Sequence, residues 1–166
     1  DGWRNGDIAR YFAARSILPF IQPDWTGVEI GIWDGDSSME FGKACRLMYL
    51  IDPCEPYDGN PDVTVFALEE EIRALLAGHE DRYEFIRGLS HEVYRIIPTV
   101  DFVFIDGTHM LEYVRQDISL YWPKVRHGGF ISGHDYGAPW PGVVQAVREF
   151  ASEVNLPIET HAECWL

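Results

Sequence analysis

Positive charge is scarce in this chain. Lysine and arginine together number 13 against 27 aspartates and glutamates, giving a formal net charge of −14. Such a field repels nucleic-acid phosphates and anionic membrane surfaces, so neither is an expected partner. A small neutral or cationic ligand suits it better, although plain solubility accounts for the charge equally well. Cysteine is scarce too. Cys45, Cys54 and Cys164 form an odd set without a CxxC or zinc-ligand spacing, which predicts free thiols in a reducing compartment. No apolar run approaches the roughly 18 residues of a membrane span, and no signal-peptide pattern is visible. The expected location is cytoplasmic. Internal repeats, low-complexity tracts and linkers are also missing, so residues 1–166 read as a single domain. The chain opens at Asp1 rather than methionine, and residues 1–26 read as an N-terminal helical segment that is expected to be truncated.

What is present is a packed globular composition, 46% apolar and 14% aromatic. Helical spacing of Ile8, Tyr11, Phe12, Ile17 and Leu18 predicts a helix over Asp7–Phe20, ended by Pro19 and Pro23. "GVEIGI" reads as the first strand. Ser37 and Glu40 have capping-box spacing and open a helix to about Arg46. "LMYLID" is the second strand and "PCEPYDGNP" a loop. Val63–Ala77 is a predicted helix with Gly78 as its C-cap. "YEFIRG" is a third strand, and a short helix runs from Ser90 towards Pro98. "VDFVFID" is a fourth strand, the most continuously apolar. A helix is predicted over His109–Lys124 and stopped by Gly128-Gly129, followed by "FISGHD" as a fifth strand and a helix over Pro141–Val154. The tail "PIETHAECWL" offers one or two edge strands. Buried strands alternating with amphipathic helices imply an α/β fold, a doubly wound, mostly parallel sheet with right-handed crossovers. Ligands of such sheets lie outside the carboxyl ends of the strands.

The candidate chemistry falls at those ends. In "VEIGIWDGDSS", Gly31 and Gly35 permit a tight turn and close backbone approach to a ligand. The helix that follows aims free N–H groups at an anion such as a carboxylate or phosphate. The glycine spacing is not the G-x-G-x-x-G of dinucleotide sites, and a tight strand-to-helix loop explains it equally. Asp52 closes the second strand about twenty residues further on, where an acid can accept hydrogen bonds from ribose hydroxyls. It also reads as an ordinary turn aspartate, but turn and acid together favour a nucleoside ligand.

These segments, with "LIDP", "FIDGTHMLEYVRQD" and "GGFISGHDY", resemble class I S-adenosylmethionine-dependent methyltransferases with a Rossmann-like fold. They are most similar to the small-molecule O-methyltransferases with an IDG-x-H-x-x-E and HD signature, a branch that includes enzymes acting on macrolide sugars. The resemblance runs from about Gly27 to Phe150. It implies S-adenosylmethionine as cofactor and a small-molecule hydroxyl as acceptor, and it is compatible with a homo-oligomer. It places Glu29 and Gly31 in the cofactor's first motif, Ser37 and Trp33 at the methionine moiety, Asp52 at the ribose, and Ser90 and His91 near the adenine. Ser90 and His91 also read as a helix N-cap beside an exposed histidine.

Asp106 and Asp135 both sit at strand tips. If the fourth and fifth strands are neighbours, the tips lie roughly 5 Å apart. Two carboxylates so close repel unless a cation lies between them, or unless one is a cap or shares a proton. Hard oxygen ligands favour Mg²⁺, Ca²⁺ or Mn²⁺, with Mg²⁺ or Mn²⁺ expected. His134 is either an extra ligand or a packed side chain, and no third protein ligand is identifiable. His109 stands where related enzymes carry a general base; imidazole, with a reference pKa near 6.5, suits that role. It also reads as a helix-start residue bonded to backbone. Glu112 and Asp117 are expected to be capping or solvent-face residues, and Tyr57, Tyr136 and Trp140 to wall an acceptor or pack beneath loops. Two other function classes fit a sheet of this kind. One is a nucleotide-dependent oxidoreductase, disfavoured by the missing G-x-G-x-x-G. The other is a non-catalytic cofactor-binding or assembly domain, disfavoured by the Asp106, His109 and Asp135 set.

Overall fold

A computed structural model describes residues 14–55 and 69–166. Its frame is a seven-stranded sheet in the order β3-β2-β1-β4-β5-β7-β6. The strands are β1 (Thr26–Ile30), β2 (Leu47–Asp52), β3 (Tyr83–Arg87), β4 (Val100–Ile105), β5 (Val125–Gly133), β6 (Thr160–His161) and β7 (Cys164–Trp165). β1 to β5 pair in parallel, and the two short strands of the tail close the edge antiparallel. The strand order reverses between β1 and β4, the point at which doubly wound sheets hold their ligands.

Alternation along the strands sorts the core onto two faces. Phe102 and Phe104 of β4 pack on one side with Ile17, Phe41, Met48, Leu50, Ile72 and Tyr83. Val103 and Ile105 pack on the other with Val28, Ile30, Val114, Ile118, Val143 and Val147. All five residues of β1 are buried, as expected for a parallel strand with both faces covered. The helices are α1 (Asp36–Ala44), α2 (Glu69–Leu76), α3 (Ser90–Val93), α4 (Leu111–Tyr121) and α5 (Pro141–Val154). Acids open α2 and Lys43 closes α1, both matching the helix dipole. Pro141 opens α5, and Asn155, in the left-handed conformation, ends it. Residues 14–17 are helical and lead into a 3₁₀ turn over Leu18–Phe20. The start of the helix expected over Asp7–Phe20, the first part of that over Val63–Ala77, and Tyr57 lie outside the described residues.

Four local expectations are corrected. The N-cap of α1 is Gly35, not Ser37, because the Ser37 hydroxyl is drawn inside to Glu29. The helix expected from His109 starts at Leu111, leaving His109 in the loop after β4. Gly128 and Gly129 do not precede the fifth strand but lie inside it. The β4–β5 register shifts there, and a β-carbon on Gly129 would lie 2.1 Å from the Asp101 carbonyl oxygen. Asp117, expected on a capping or solvent face, is only 4% exposed.

Asp117 accepts a short hydrogen bond from the Ser90 hydroxyl, and the Tyr121 hydroxyl donates to the Ser90 carbonyl at 2.9 Å. Burial pushes the Asp117 carboxyl up to about 7, against the opposing pull of the Ser90 hydrogen bond. A carboxyl whose pKa is raised by folding contributes stability fully below its unfolded value, and that contribution is lost as pH rises through the folded value. Asp117→Asn keeps an acceptor for Ser90 and removes the charge. Between pH 5 and 8 the wild-type protein should therefore lose roughly 2–3 kcal/mol of unfolding free energy relative to Asp117→Asn. Urea titrations across that range measure the difference, and parallel profiles for the two proteins would refute it.

Candidate active site

The parallel ladders align Ile51, Ile30, Ile105 and Gly133 across β2, β1, β4 and β5. Backbone bonding then continues past the strands. The Gly31 N–H donates to the Ile51 carbonyl at 2.9 Å, Asp106 N–H to Ile30 at 2.8 Å, and His134 N–H to Ile105 at 3.0 Å. Asp52, Gly31, Asp106 and His134 are thereby held in one row along the carboxyl edge of the sheet, with Asp135 next to it.

One half of this row is a turn around fixed acids. Gly31 has φ +85°, and a β-carbon there would lie 2.3 Å from the Asp106 carbonyl oxygen. Glu29 is completely buried, and its two carboxylate oxygens accept hydrogen bonds from Ser37 (2.5 Å) and from Ser38. Glu29 therefore clamps the first turn of α1 to β1 and does not itself face solvent. Trp33, 39% exposed and at φ 53°, stands on the same loop. Asp52 accepts the Ile32 N–H at 2.9 Å on one oxygen and the Cys54 N–H at 2.8 Å on the other. Ser90 starts α3 with its hydroxyl turned to Asp117, and His91, partly buried, follows it.

The other half is a cluster of acids and imidazoles. One donor atom each from Asp106, His134 and Asp135 lies within 4.8 Å of the others, an arrangement able to hold a metal ion. His134 Nδ1 is 3.1 Å from Asp135 Oδ1 and 3.8 Å from Asp106 Oδ1. His109 Nε2 lies 2.6 Å from Asp135 Oδ2. Burial pushes the Asp135 carboxyl up, but the two histidines outweigh it and hold the group well below the usual carboxylate range. Asp135 also has φ 61°, the left-handed region, which aspartate enters more readily than most non-glycine residues. Trp140 stacks on the His109 imidazole, with ring centroids 3.9 Å apart. Gly142 lets α5 approach this loop; a β-carbon there would lie 2.6 Å from the His109 carbonyl oxygen. The Tyr136 hydroxyl accepts from Arg148 Nε at 3.3 Å.

The structure thus brings Gly31, Asp52, Asp106, His109 and Asp135 to one edge. It adds His134, the third donor that spacing alone did not identify. The three cysteines are free thiols. All are buried, and burial pushes the thiols of Cys45, Cys54 and Cys164 up to about 11, 12 and 12.

Comparison with known proteins gives a family and a set of similar folds. A family model described as a methyltransferase domain matches residues 28–136. An uncharacterized protein, R132 of Acanthamoeba polyphaga mimivirus, is 28% identical over 140 residues. That match covers 82% of this chain and only 63% of the viral protein. The apo structure of CalS11, a TDP-rhamnose 3'-O-methyltransferase of calicheamicin biosynthesis, superposes with a TM-score of 0.71 at 14% identity, covering 94% of this chain and 76% of CalS11. MycE methyltransferase of the mycinamycin pathway, in complex with Mg and S-adenosylhomocysteine, gives a TM-score of 0.64 at 16% identity and covers 95% and 52% of the two chains. Among the described residues no helix is long and apolar enough to cross a membrane.

The tight packing at Gly31 makes a direct test of the seam between β1 and β4. Gly31→Ala adds a methyl group against the Asp106 carbonyl in a backbone conformation unfavourable to alanine. Such strain in a closely packed turn should cost at least about 2 kcal/mol. Denaturant unfolding measures this, and a loss within 0.5 kcal/mol would mean the turn relaxes freely.

Proposed function

We propose, since the chain belongs to the methyltransferase domain family, that it transfers a methyl group from S-adenosylmethionine to a hydroxyl of a small molecule, a sugar or glycosylated metabolite being the favoured class. The observation that carries this reading is the single row of strand tips. It sets the Gly31 turn and Asp52 on one side of the β1–β4 seam, and Asp106, His109 and Asp135 on the other.

In this reading the first turn of α1, whose N-cap Gly35 offers no side-chain cap, receives the methionine carboxylate through backbone N–H groups. Ser37 serves by its amide, its hydroxyl being committed to Glu29, and Trp33 flanks the same moiety. Glu29 contributes by holding this loop. Each Asp52 oxygen accepts one backbone N–H and keeps a second lone pair for a ribose hydroxyl. Ser90 and His91 border the adenine. The sulfonium is already an activated leaving group, so the protein's task is positioning and supply of a deprotonated oxygen.

His109 takes the acceptor's proton, and Asp135 Oδ2, 2.6 Å from Nε2, stabilises the imidazolium that results. A divalent cation also fits this site, because two carboxylates and an imidazole within 4.8 Å form a reasonable donor set. Asp106 and Asp135 would hold it, joined by His134. When bound, it would lower the pKa of the acceptor hydroxyl. The Mg in the MycE complex supports this part of the reading.

Calorimetry with S-adenosylhomocysteine is the first test: the protein should bind it, and Asp52→Ala should weaken binding by about 1–3 kcal/mol. Unchanged affinity would remove Asp52 from the site. His109→Ala should lower kcat by about 10²–10⁴-fold while affinity for S-adenosylhomocysteine stays nearly constant. Retention of the full rate with a competent acceptor would place the base elsewhere. Excess chelator should suppress turnover and added Mg²⁺ or Mn²⁺ restore it; full activity in chelator with metal-free protein would eliminate the cation.

A further inference from the structure

Mg²⁺ sites in proteins are normally walled by oxygen, because the ion is hard and sheds its water reluctantly. Imidazole nitrogen is better suited to first-row transition ions. At the tips of β4 and β5 the third donor is a nitrogen. His134 is 4% exposed, and its backbone N–H is tied to the Ile105 carbonyl, so the ring is held in the row of strand tips. Nδ1 is the atom directed at the aspartates, 3.1 Å from Asp135 Oδ1 and 3.8 Å from Asp106 Oδ1.

The other ring nitrogen has its own neighbour. Nε2 lies 3.8 Å from Glu163 Oε2. Glu163 belongs to the turn between β6 and β7, and two contacts fix that turn against the site. Its carbonyl accepts the Tyr136 N–H at 2.9 Å, and Trp165 pairs with Gly133. At 3.8 Å Glu163 is beyond direct hydrogen bonding, and Asp135 is the nearer carboxylate, 3.1 Å from Nδ1. A cation on Nδ1 would take the place of any proton there and leave the imidazole protonated on Nε2, the side that Glu163 faces.

We infer that the site selects a first-row transition cation over Mg²⁺, bound by Asp106, Asp135 and His134 Nδ1, with Glu163 as a positioning residue for the His134 ring. This rests on the metal-assisted reading above. The rival arrangement is a site without metal, in which His134 as imidazolium supplies the positive charge between the two aspartates.

The experiment uses the cofactor-free protein with Co²⁺ and Mg²⁺ as probes. Co²⁺ binding, followed by visible absorption, should be tighter than Mg²⁺ binding by more than about a hundredfold in competition. In His134→Asp, an all-oxygen site, that ratio should shrink by at least about tenfold. Proton NMR of the wild-type Co²⁺ protein needs no variant. It should show one hyperfine-shifted resonance that vanishes in D₂O, the Nε2–H of a coordinated imidazole, and the resonance should persist in His109→Ala. Glu163→Gln should weaken Co²⁺ binding by about 10–100-fold and speed exchange of that proton. Co²⁺ bound without such a resonance, or a Co²⁺-to-Mg²⁺ ratio unmoved in His134→Asp, overturns the inference and leaves metal assistance standing. A resonance lost in His109→Ala assigns the nitrogen to the wrong residue and overturns it too. Unchanged affinity and exchange in Glu163→Gln remove Glu163 from its role. Failure of Co²⁺ and Mg²⁺ to bind at millimolar concentration overturns both readings in favour of the imidazolium.

Discussion

β4 is paired in parallel on both sides, and everything at the carboxyl edge depends on that double pairing. Its ladders run beyond the strand, so the Asp106 N–H reaches Ile30 while the Ile105 carbonyl receives the His134 N–H. Register is enforced by the core. A slip of one residue would exchange Phe102 and Phe104 with Val103 and Ile105 across the two faces. It would also carry Asp106 out of line with Gly31 and His134. Apolar packing in the middle of the sheet thus sets the positions of the polar groups at its end.

Two buried aspartates show how much depends on immediate neighbours. Asp117 has the Ser90 hydroxyl as its partner; burial dominates and raises its pKa to about 7. Asp135 is also largely buried, yet two imidazoles keep it ionised. The chain's overall charge of −14 predicts neither outcome. The left-handed backbone of Asp135 is one that aspartate tolerates better than most side chains.

Much of this was legible in the sequence. Strand and helix signals alternate strongly, so the parallel sheet and the acids at the ends of β2 and β4 follow from pattern, whereas the adjacency of β4 and β5 was only a condition that the observed pairing meets. The failures share one cause, a tertiary partner that local pattern does not contain. Ser37 and Glu40 satisfy a capping-box spacing, but Ser37 is claimed by Glu29 from β1, and Glu40 pairs with Arg15 and Lys43. Gly128 and Gly129 look like a stop signal, yet the bulged pairing with β4 needs the small residue against Asp101. His134 was ambiguous for a different reason. Successive residues of a strand face opposite ways, so alternation offers either His134 or Asp135 to a site. The positive φ of Asp135 breaks that alternation and lets both reach Asp106.

The stack of Trp140 on His109 has a further consequence. An indole lying 3.9 Å from an imidazole is within range for electron transfer from its excited state, and the imidazolium is the better acceptor. The emission of Trp140 should therefore dim as His109 gains a proton. The fold has placed an intrinsic fluorophore against the side chain to which the proposed reaction assigns the proton, and a Trp140→Phe difference separates its signal from that of the other tryptophans.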